Sequence, residues 1–257
     1  MKTVIRYAAT LVCAAALCGC ATMYNPATER KEFIFINSQT EYAIGKNVVP
    51  ELLKKSPLSD DSRLQERVSQ IGRRIAAVSD RKDITYSFAV LADKDLNALT
   101  LPGGHIYVNA GLMEAFNDDE LAYVVGHETG HVAARHIAKK MQATMAYQLI
   151  LGVAFASAAN ANIQNAGTIA KGVDAVYNLV DLSYSRKDEF EADTIGVKYA
   201  LKAGFEPSAA LSALEKLKQG EGSNWKVLRY FRTHPFADER IKALKESIPR
   251  LKAKGAL

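Results

Sequence analysis

The chain has 257 residues, of which 48% are hydrophobic, and this is enough for one sizeable globular domain. Its formal net charge of +5 is modest, and the sequence has no basic stripe with interleaved aromatic residues, so nucleic acid is not an expected partner. All three cysteines, Cys13, Cys18 and Cys20, lie at the start of the chain, so the residues that follow are not expected to form a disulfide.

Residues 1–19 are predicted to be a lipoprotein signal peptide. A positively charged start, with Lys2 and Arg6, precedes an apolar run that is too short to span a bilayer. The run ends in the letters LCGC at Cys20, which resembles the lipobox of bacterial lipoproteins. The resemblance implies cleavage before Cys20, acylation of this cysteine and stable attachment to a membrane through two or three acyl chains. An ordinary signal peptide that ends in small residues is the alternative.

The residue after Cys20 indicates where the protein is held. In lipoproteins of the enteric type an Asp at this position retains the protein at the inner membrane, whereas this chain has Ala21. By that resemblance we expect a lipid-anchored protein at the outer membrane that faces the periplasm. Residues 20–37 are predicted to hold the lipidated cysteine and a polar linker, in which 33–36 form a docking strand or a lead into a helix. Residues 38–257 are predicted to form the functional domain.

The first part of this domain is predicted to be scaffold. Residues 38–53 and 60–78 are predicted to be helices, the second with a capping Asp and apolar residues at steps of three and four. Residues 84–91 alternate like a half-buried strand, and 105–108 are predicted to be a second strand. The letters PGG before the second strand predict either an edge strand, where an extended polypeptide can pair, or an ordinary hairpin.

An H-E-x-x-H motif lies on a helix that is predicted over residues 118–136 from its acidic start and apolar stripe. Residues four apart share a helix face, so His127 and His131 can bind one metal ion at about 2.0–2.1 Å. Glu128 lies about 100° around the helix, where it can take a proton from water at the metal, as in zinc hydrolases. A buried core histidine is the alternative for each ring, but two at ligand spacing favour a metal. His105 is expected to point away from it.

Residues 139–160 are predicted to be helical and become strongly apolar over 145–159. The uninterrupted apolar part is shorter than the roughly 20 residues that a membrane-spanning helix needs. A buried helix or a flap over a cleft is therefore favoured, and a surface that dips into lipid or holds apolar substrate is the alternative. Another helix is predicted over 168–180.

A third metal ligand is predicted in the acidic segment 184–193, because catalytic zinc sites usually have three protein ligands. On a helix, Glu189 and Asp193 share one face and Glu191 points roughly opposite. This arrangement suits Glu189 as a ligand and Asp193 as a carboxylate that orients a ligand histidine. A solvated acidic helix face is the alternative for such a run of charges.

Several motifs in this order resemble the HtpX, Oma and CAAX-prenyl-endopeptidase family of gluzincin metalloproteases, and its bacterial periplasmic lipoprotein branch in particular. The motifs are LPGG, HETGH, YSRKDEFEAD, the letters THP that include His234, and Arg240, and they lie within residues 84–241. The chain ends soon after Arg240, so we expect no helical-repeat domain. Several ordered motifs are far more specific than H-E-x-x-H alone.

The resemblance implies a role for each matching residue. His127, His131 and Glu189 match the ligands of one zinc ion per chain. Glu128 matches the general base, and Asp193 matches an Asp that supports a ligand histidine.

The resemblance also covers the last motif of the chain. His234 and Arg240 match a histidine and an arginine near the metal, which stabilise the negatively charged oxygen of the reaction or, for the histidine, cap the metal at rest. His136 would lie about 140° around the helix from His131, so it is expected to be structural or to stand outside the ligand set.

We therefore expect an α+β protein, mainly helical, with a zincin-type active-site helix and a small antiparallel or mixed sheet that bears an edge strand. Residues 38–257 would form a zinc-dependent endopeptidase of the bacterial cell envelope, and the resemblance implies misfolded or misassembled envelope proteins as substrates. The alternative is a chaperone or assembly factor for outer-membrane proteins with little or regulated proteolysis. A structural zinc site, closed by His234, is a third possibility.

Overall fold

The computed structural model describes residues 22–158, 183–221 and 230–255. The predicted signal peptide, the predicted lipidation at Cys20 and the predicted helix over 168–180 lie outside the described residues and stay predictions. The described elements are β1 (Thr22–Asn25), β2 (Arg30–Phe33), α1 (Ser38–Lys55), α2 (Ser62–Val78), β3 (Ser87–Leu91), β4 (Ala98–Leu101), β5 (His105–Asn109), α3 (Ala110–Ala115), α4 (Asp118–Ala133), α5 (His136–Ala158), α6 (Arg186–Lys202), α7 (Ala209–Glu221) and α8 (Ala237–Gly255). The prediction of a mainly helical α+β fold is confirmed.

The three-stranded sheet has the order β3-β5-β4, with β5 parallel to β3 and antiparallel to β4. The strand after the letters PGG is therefore central and forms a hairpin with β4. Gly103 and Gly104 make the turn with φ values of 81° and 88°, which residues with a side chain rarely adopt. The edge strand beside the H-E-x-x-H helix is β4, one strand earlier in the chain than the one singled out from sequence.

Helix α4 is the centre of the domain. Its start is fixed by a capping box in which Asn117 Oδ1 accepts from Glu120 N at 2.9 Å and Glu120 Oε2 accepts from Asn117 N at 3.0 Å. Every residue over 120–133 is buried, because α2, α6, α7 and the sheet surround the helix. A helix that is enclosed on all sides holds its polar side chains in fixed positions.

Helices α4 and α6 approach each other backbone to backbone. A Cβ on Gly196 would lie 2.6 Å from His127 N and 2.8 Å from Gly126 C, and a Cβ on Gly130 would lie 2.8 Å from Ala192 O. The glycines therefore allow the contact that brings the polar residues of the two helices together.

The H-E-x-x-H helix ends earlier than the sequence led us to expect. It stops at Ala133, and Arg135 adopts a left-handed conformation with φ of 57° before α5 begins at His136. Arg135 Nη1 donates to Ile36 O at 3.1 Å, and its Nη2 donates to Ser38 Oγ at 2.8 Å. These contacts hold the bend, so the predicted continuous helix through His136 is wrong.

The helix predicted over 139–160 is confirmed as far as Ala158, where the described part of α5 ends. Near the start of its apolar part, Met145 and Tyr147 are exposed. None of the helices in the described ranges has both the length and the apolarity needed to cross a membrane.

Residues 22–33, within the range predicted to be a linker, form an antiparallel hairpin of β1 and β2 that packs on the domain. Asn25 Nδ2 donates to Ala133 O at 3.1 Å, at the end of α4, and Lys139 forms a 2.7 Å ion pair with Glu32. Gln142 Oε1 accepts from the backbone of 35 and 36, which docks the following residues on α5.

We predict that Gly196→Ala lowers the free energy of unfolding by about 1–3 kcal/mol, because the new methyl group forces α4 and α6 apart. Thr194→Ala, on the exposed face of the same helix, is the control and should change this free energy by less than about 0.5 kcal/mol. Urea unfolding measures both. Equal effects would show that the two backbones are not in close contact.

Candidate metal centre and active site

Helix α4 presents the two histidines of the motif on one face. His127 Nε2 and His131 Nε2 lie 3.0 Å apart, and both rings are fully buried. Burial lowers the pKa of His131 well below its usual value, so this ring is neutral and can offer a lone pair. The structure therefore places both rings as the sequence predicted.

Helix α6 brings Glu189 to the same point. The helix starts at a capping box between Ser185 and Asp188, and Glu189 follows in its first turn. Glu189 Oε1 lies 3.4 Å from His131 Nε2, and Oε2 lies 3.6 Å from His127 Nε2. Burial raises the pKa of the Glu189 carboxyl, but the nearby guanidinium of Arg240 and the contacts with histidines outweigh it and hold the pKa well below its usual range.

His234 joins the cluster from the segment before α8. Its Nδ1 lies 3.2 Å from His127 Nε2 and 3.1 Å from Glu189 Oε1. One ligand atom from each of His127, His131, Glu189 and His234 can be chosen so that all lie within 4.8 Å of one another. His234 therefore adds a fourth possible ligand to the three that the sequence predicted.

This donor set fits a divalent metal ion. In a tetrahedral site with bonds of about 2.0–2.1 Å, neighbouring ligand atoms are about 3.3 Å apart, close to the separations found here. Three imidazoles and one carboxylate suit zinc among the first-row metals. Glu189 Oε1 lies 3.1 Å from His234 Nδ1 and 3.4 Å from His131 Nε2, as expected of ligand atoms that share one ion, while Oε2 forms an ion pair with Arg240.

Asp193 and Arg240 form the support behind the ligands. Asp193 Oδ1 lies 2.8 Å from His127 Nδ1, and Tyr123 Oη donates to the same oxygen at 2.8 Å. Arg240 donates to both oxygens of this carboxylate, from Nη2 to Oδ1 at 2.7 Å and from Nε to Oδ2 at 2.8 Å. Burial alone would raise the pKa of Asp193, but Arg240 and His127 lower it to about 2. Asp193 thus remains ionised and fixes the His127 ring with Nε2 towards the cluster.

Arg240 is placed differently from the oxyanion-stabilising role implied by resemblance. It is fully buried, and its nitrogens face Asp193, Tyr123 Oη and Glu189 Oε2, the last at 2.6 Å. These nitrogens are directed at protein groups and not at a position that a substrate oxygen could occupy. Arg240 is therefore a residue that positions Asp193 and Glu189, because its guanidinium lies between both carboxylates.

Glu128 lies beside the cluster and outside it. Its Oε2 accepts from Thr100 Oγ1 on β4 at 2.6 Å. Its Oε1 is buried without a hydrogen bond from any described residue and lies 3.4 Å from His234 Nε2. One oxygen is thus anchored and the other is available to a substrate or water molecule, which is the arrangement needed by a general base.

Comparison with known proteins agrees with this geometry. Residues 62–248 match the family described as Peptidase family M48. The chain belongs to this family. It is 32% identical over 237 residues to the mitochondrial metalloendopeptidase OMA1 of Schizosaccharomyces pombe, covering 90% of this chain and 68% of that protein. The expectations of a gluzincin-type family and of a metalloendopeptidase are thereby confirmed.

Two bacterial relatives are longer than this chain. A putative beta-barrel assembly-enhancing protease of Vibrio cholerae is 28% identical, over 90% of this chain and 49% of that protein. The beta-barrel assembly-enhancing protease of Escherichia coli K12 is 27% identical, over 78% of this chain and 42% of that protein. The chain thus spans half or less of the length of these two relatives.

Several residues of this M48 site were missed from sequence. Thr100 anchors Glu128, Tyr184 stacks on His131 with ring centroids 3.8 Å apart, and Tyr230 stacks on His234 at 4.8 Å. Tyr123 and Tyr230 each lie four residues before the histidine that they contact, a helical spacing that could have revealed them. Thr100 and Tyr184 are distant in sequence from Glu128 and His131 and carry no such spacing signal.

The remaining histidines lie outside the ligand set. His105 Nδ1 pairs with Ser87 Oγ at 2.8 Å, and its ring centroid lies 5.7 Å from that of Tyr42, so it points away from the cluster as predicted. His136 Nδ1 lies 2.8 Å from His131 Nδ1, on the side of the ring opposite the cluster. Glu191 contacts His136 and not the cluster, in line with the opposite face predicted for it.

We predict that Arg240→Gln lowers the free energy of unfolding by about 3–5 kcal/mol, because it leaves two buried carboxylates without their counter-charge. Metal affinity should fall with it. The control is Arg186→Gln, which breaks the exposed Arg186–Glu239 pair between the same two helices and should cost at most about 1 kcal/mol. Urea unfolding and chelator competition measure these effects. A stable Arg240→Gln protein with normal metal affinity but slow cleavage would restore the oxyanion role.

Proposed function

We propose that this M48 protein is a zinc-dependent endopeptidase in which His127, His131 and Glu189 hold the metal and Glu128 is the general base. The observation that carries the proposal is the buried cluster of ligand atoms with a partly unpartnered carboxylate beside it. When bound, zinc in such a site polarises a carbonyl group and lowers the pKa of water. The rest of the chemistry belongs to the side chains.

Glu128 performs the proton transfers in this proposal. Its Oε1 takes the proton of the attacking water and later delivers it to the amine that leaves the scissile bond. The hydrogen bond from Thr100 to Oε2 restricts the side chain to the orientation in which Oε1 faces the cluster. Burial of the carboxylate excludes bulk water from this exchange.

His234 gives the site a closed resting state. Catalytic zinc sites keep one coordination position open, whereas four protein ligands fill a tetrahedral site. Because His234 Nδ1 stands within the ligand cluster, we propose that His234 caps the metal at rest and leaves the cluster before cleavage. The alternative role for His234, whose Nε2 lies 3.4 Å from Glu128 Oε1, is to donate to the carbonyl oxygen as negative charge develops there.

The edge strand β4 supplies a place for the substrate backbone. It lies against α4, and its Thr100 touches the general base. A polypeptide that pairs with β4 as an added strand would carry a peptide bond past Glu128. Such pairing requires an extended chain, which favours unfolded or misassembled proteins over folded ones.

We place the protein in the bacterial cell envelope, anchored by lipid at Cys20 to the outer membrane and facing the periplasm. The lipobox-like letters LCGC support the anchor, and the names of the Vibrio and Escherichia relatives support substrates among envelope proteins. The substrates in this proposal are misfolded or misassembled envelope proteins, so the role is quality control.

A chaperone or assembly factor with regulated proteolysis is the second candidate. The filled ligand set and the exposed apolar side chains of Met145 and Tyr147 favour it, because both suit binding without immediate cleavage. The general base argues against it as the sole role, since a protein that only binds has no use for Glu128.

We predict that Glu128→Gln lowers the rate of casein cleavage at least about 100-fold, because the proton acceptor is lost, and leaves the zinc content unchanged. Glu114→Gln, at an exposed carboxylate paired with Lys94, is the control and should cleave like the wild type. Protease assays and elemental analysis on the purified proteins measure both. Full activity of Glu128→Gln would exclude the proposed base.

We predict that His234→Ala retains zinc on its three remaining ligands and cleaves peptides faster than the wild type, because an open coordination position appears. His105→Ala removes a histidine outside the cluster and should change neither quantity. A large loss of cleavage with zinc retained would instead assign His234 solely to charge stabilisation. Zinc retained with no cleavage in either protein would favour a structural site.

A further inference from the structure

A chain of four side chains extends from the back of His131 to the N-terminal hairpin. His131 Nδ1 lies 2.8 Å from His136 Nδ1, and His136 Nε2 lies 3.2 Å from Glu191 Oε2. Glu191 Oε1 in turn forms a 2.6 Å ion pair with Arg30 Nη2 on β2. The four residues come from α4, α5, α6 and the hairpin, so the chain connects four separate elements.

The hydrogen positions in this chain follow from the proposed metal centre. If His131 offers Nε2 to the metal, its Nδ1 carries the proton and must donate. His136 Nδ1 must then accept, so His136 carries its own proton on Nε2, which donates to Glu191. A second carboxylate, Asp188, is farther from that nitrogen at 3.5 Å. Arg30 completes the chain as a permanent positive charge.

The local backbone is shaped to make this contact. On a continuous helix, His136 would stand about 140° around from His131 and its ring would miss it. The left-handed conformation of Arg135 ends α4 and turns the chain so that His136 faces back towards His131. Tyr184 covers the other side of the His131 ring, so the ring is held both on its face and at its Nδ1 edge.

The far end of the chain belongs to the hairpin over residues 22–33. The Arg30 side chain is 44% exposed, whereas those of Glu191 and His136 are 13% and 1% exposed. Further contacts attach the hairpin beside the site, from Asn25 to Ala133 O, from Lys139 to Glu32 and from Gln142 to Phe33 O. Only the Arg30 contact belongs to the chain that ends on His131.

We propose that His136, Glu191 and Arg30 are positioning residues that fix the tautomer and orientation of His131. Through Arg30, the N-terminal hairpin thereby helps to hold a metal ligand in place. The inference rests on the proposed zinc site. It assigns a role to a hairpin that lies outside residues 62–248, the part of the chain that matches the M48 family.

The test is the zinc affinity of the full mature chain and its variants, measured by competition with a chromophoric chelator. His136→Leu should lower the affinity about 10–100-fold, as expected when the partner of a ligand histidine is lost. His136→Gln should restore most of it, because an amide can accept from His131 and donate to Glu191. Glu191→Gln and Arg30→Gln should lower the affinity by progressively smaller factors, and they keep the test decisive if His136→Leu does not fold.

Lys139→Ala is the matched control. It breaks the other ion pair between the hairpin and the domain and removes none of the three contacts that join Arg30, Glu191, His136 and His131. Its partner oxygen, Glu32 Oε1, lies 3.4 Å from Arg30 Nη2 and remains available to Arg30 in the variant. We expect it to leave zinc affinity unchanged even where it lowers the melting temperature. Equal losses of affinity in Lys139→Ala and Arg30→Gln would overturn the inference, since general loosening of the hairpin would then explain both.

Nitrogen-15 NMR of the histidine rings gives a second readout that a purely structural contact would not produce. The zinc-loaded wild type should show His131 protonated at Nδ1 and His136 protonated at Nε2. Protonation of His136 at Nδ1, or unchanged zinc affinity in His136→Leu, overturns the inference alone. A wild type that binds no zinc removes the proposed metal centre and this inference with it.

Discussion

The fold of the domain depends on burying three carboxylates close to the guanidinium group of Arg240. Asp193, Glu189 and Glu128 are all at most 2% exposed, and Arg240 is the basic residue that contacts the first two. Three carboxylates against one guanidinium leave a formal excess of two negative charges among buried side chains. A divalent cation held by the histidines would cancel that excess, so the metal and the fold stabilise each other.

This charge arrangement requires α4 and α6 to lie unusually close. Arg240 on α8 can form ion pairs with Asp193 and Glu189 together only because the two carboxylates lie on one face of α6, the face that packs on α4. Glycines at the crossing remove the side chains that would separate the helices. The ligand geometry is thus set by backbone contact and capping, which makes it rigid, and the mobile member required by the proposed mechanism is His234, in the segment before α8.

The sequence was informative where spacing on one helix decides the geometry. His127, Glu128 and His131 on α4, and Glu189 with Asp193 on α6, follow from helical periodicity and were placed correctly relative to one another. Arg240 was found by resemblance, but its contacts depend on how α8 packs against α6, which periodicity does not encode. Thr100 and Tyr184 were missed for the same reason.

Two backbone features that no residue type marks, the bend at Arg135 and the 22–33 hairpin, were also missed. The bend at Arg135 needs a left-handed conformation, which is usually marked by Gly or Asn and is stabilised here by distant contacts to Ile36 and Ser38. The strands of the 22–33 hairpin have no alternating pattern, so the segment looked like a linker. The bend turns His136 towards His131, and the hairpin reaches His136 through Glu191, which explains why the position of His136 behind His131 was not predicted.

The central claim is that three histidines and one glutamate form a single metal centre in the resting protein. X-ray absorption at the zinc edge of the purified, zinc-loaded chain tests it most directly. The account predicts four nitrogen or oxygen ligands at about 2.0–2.1 Å, with multiple scattering from three imidazole rings. Scattering from two rings or fewer, or a six-coordinate shell of oxygen atoms, would contradict it.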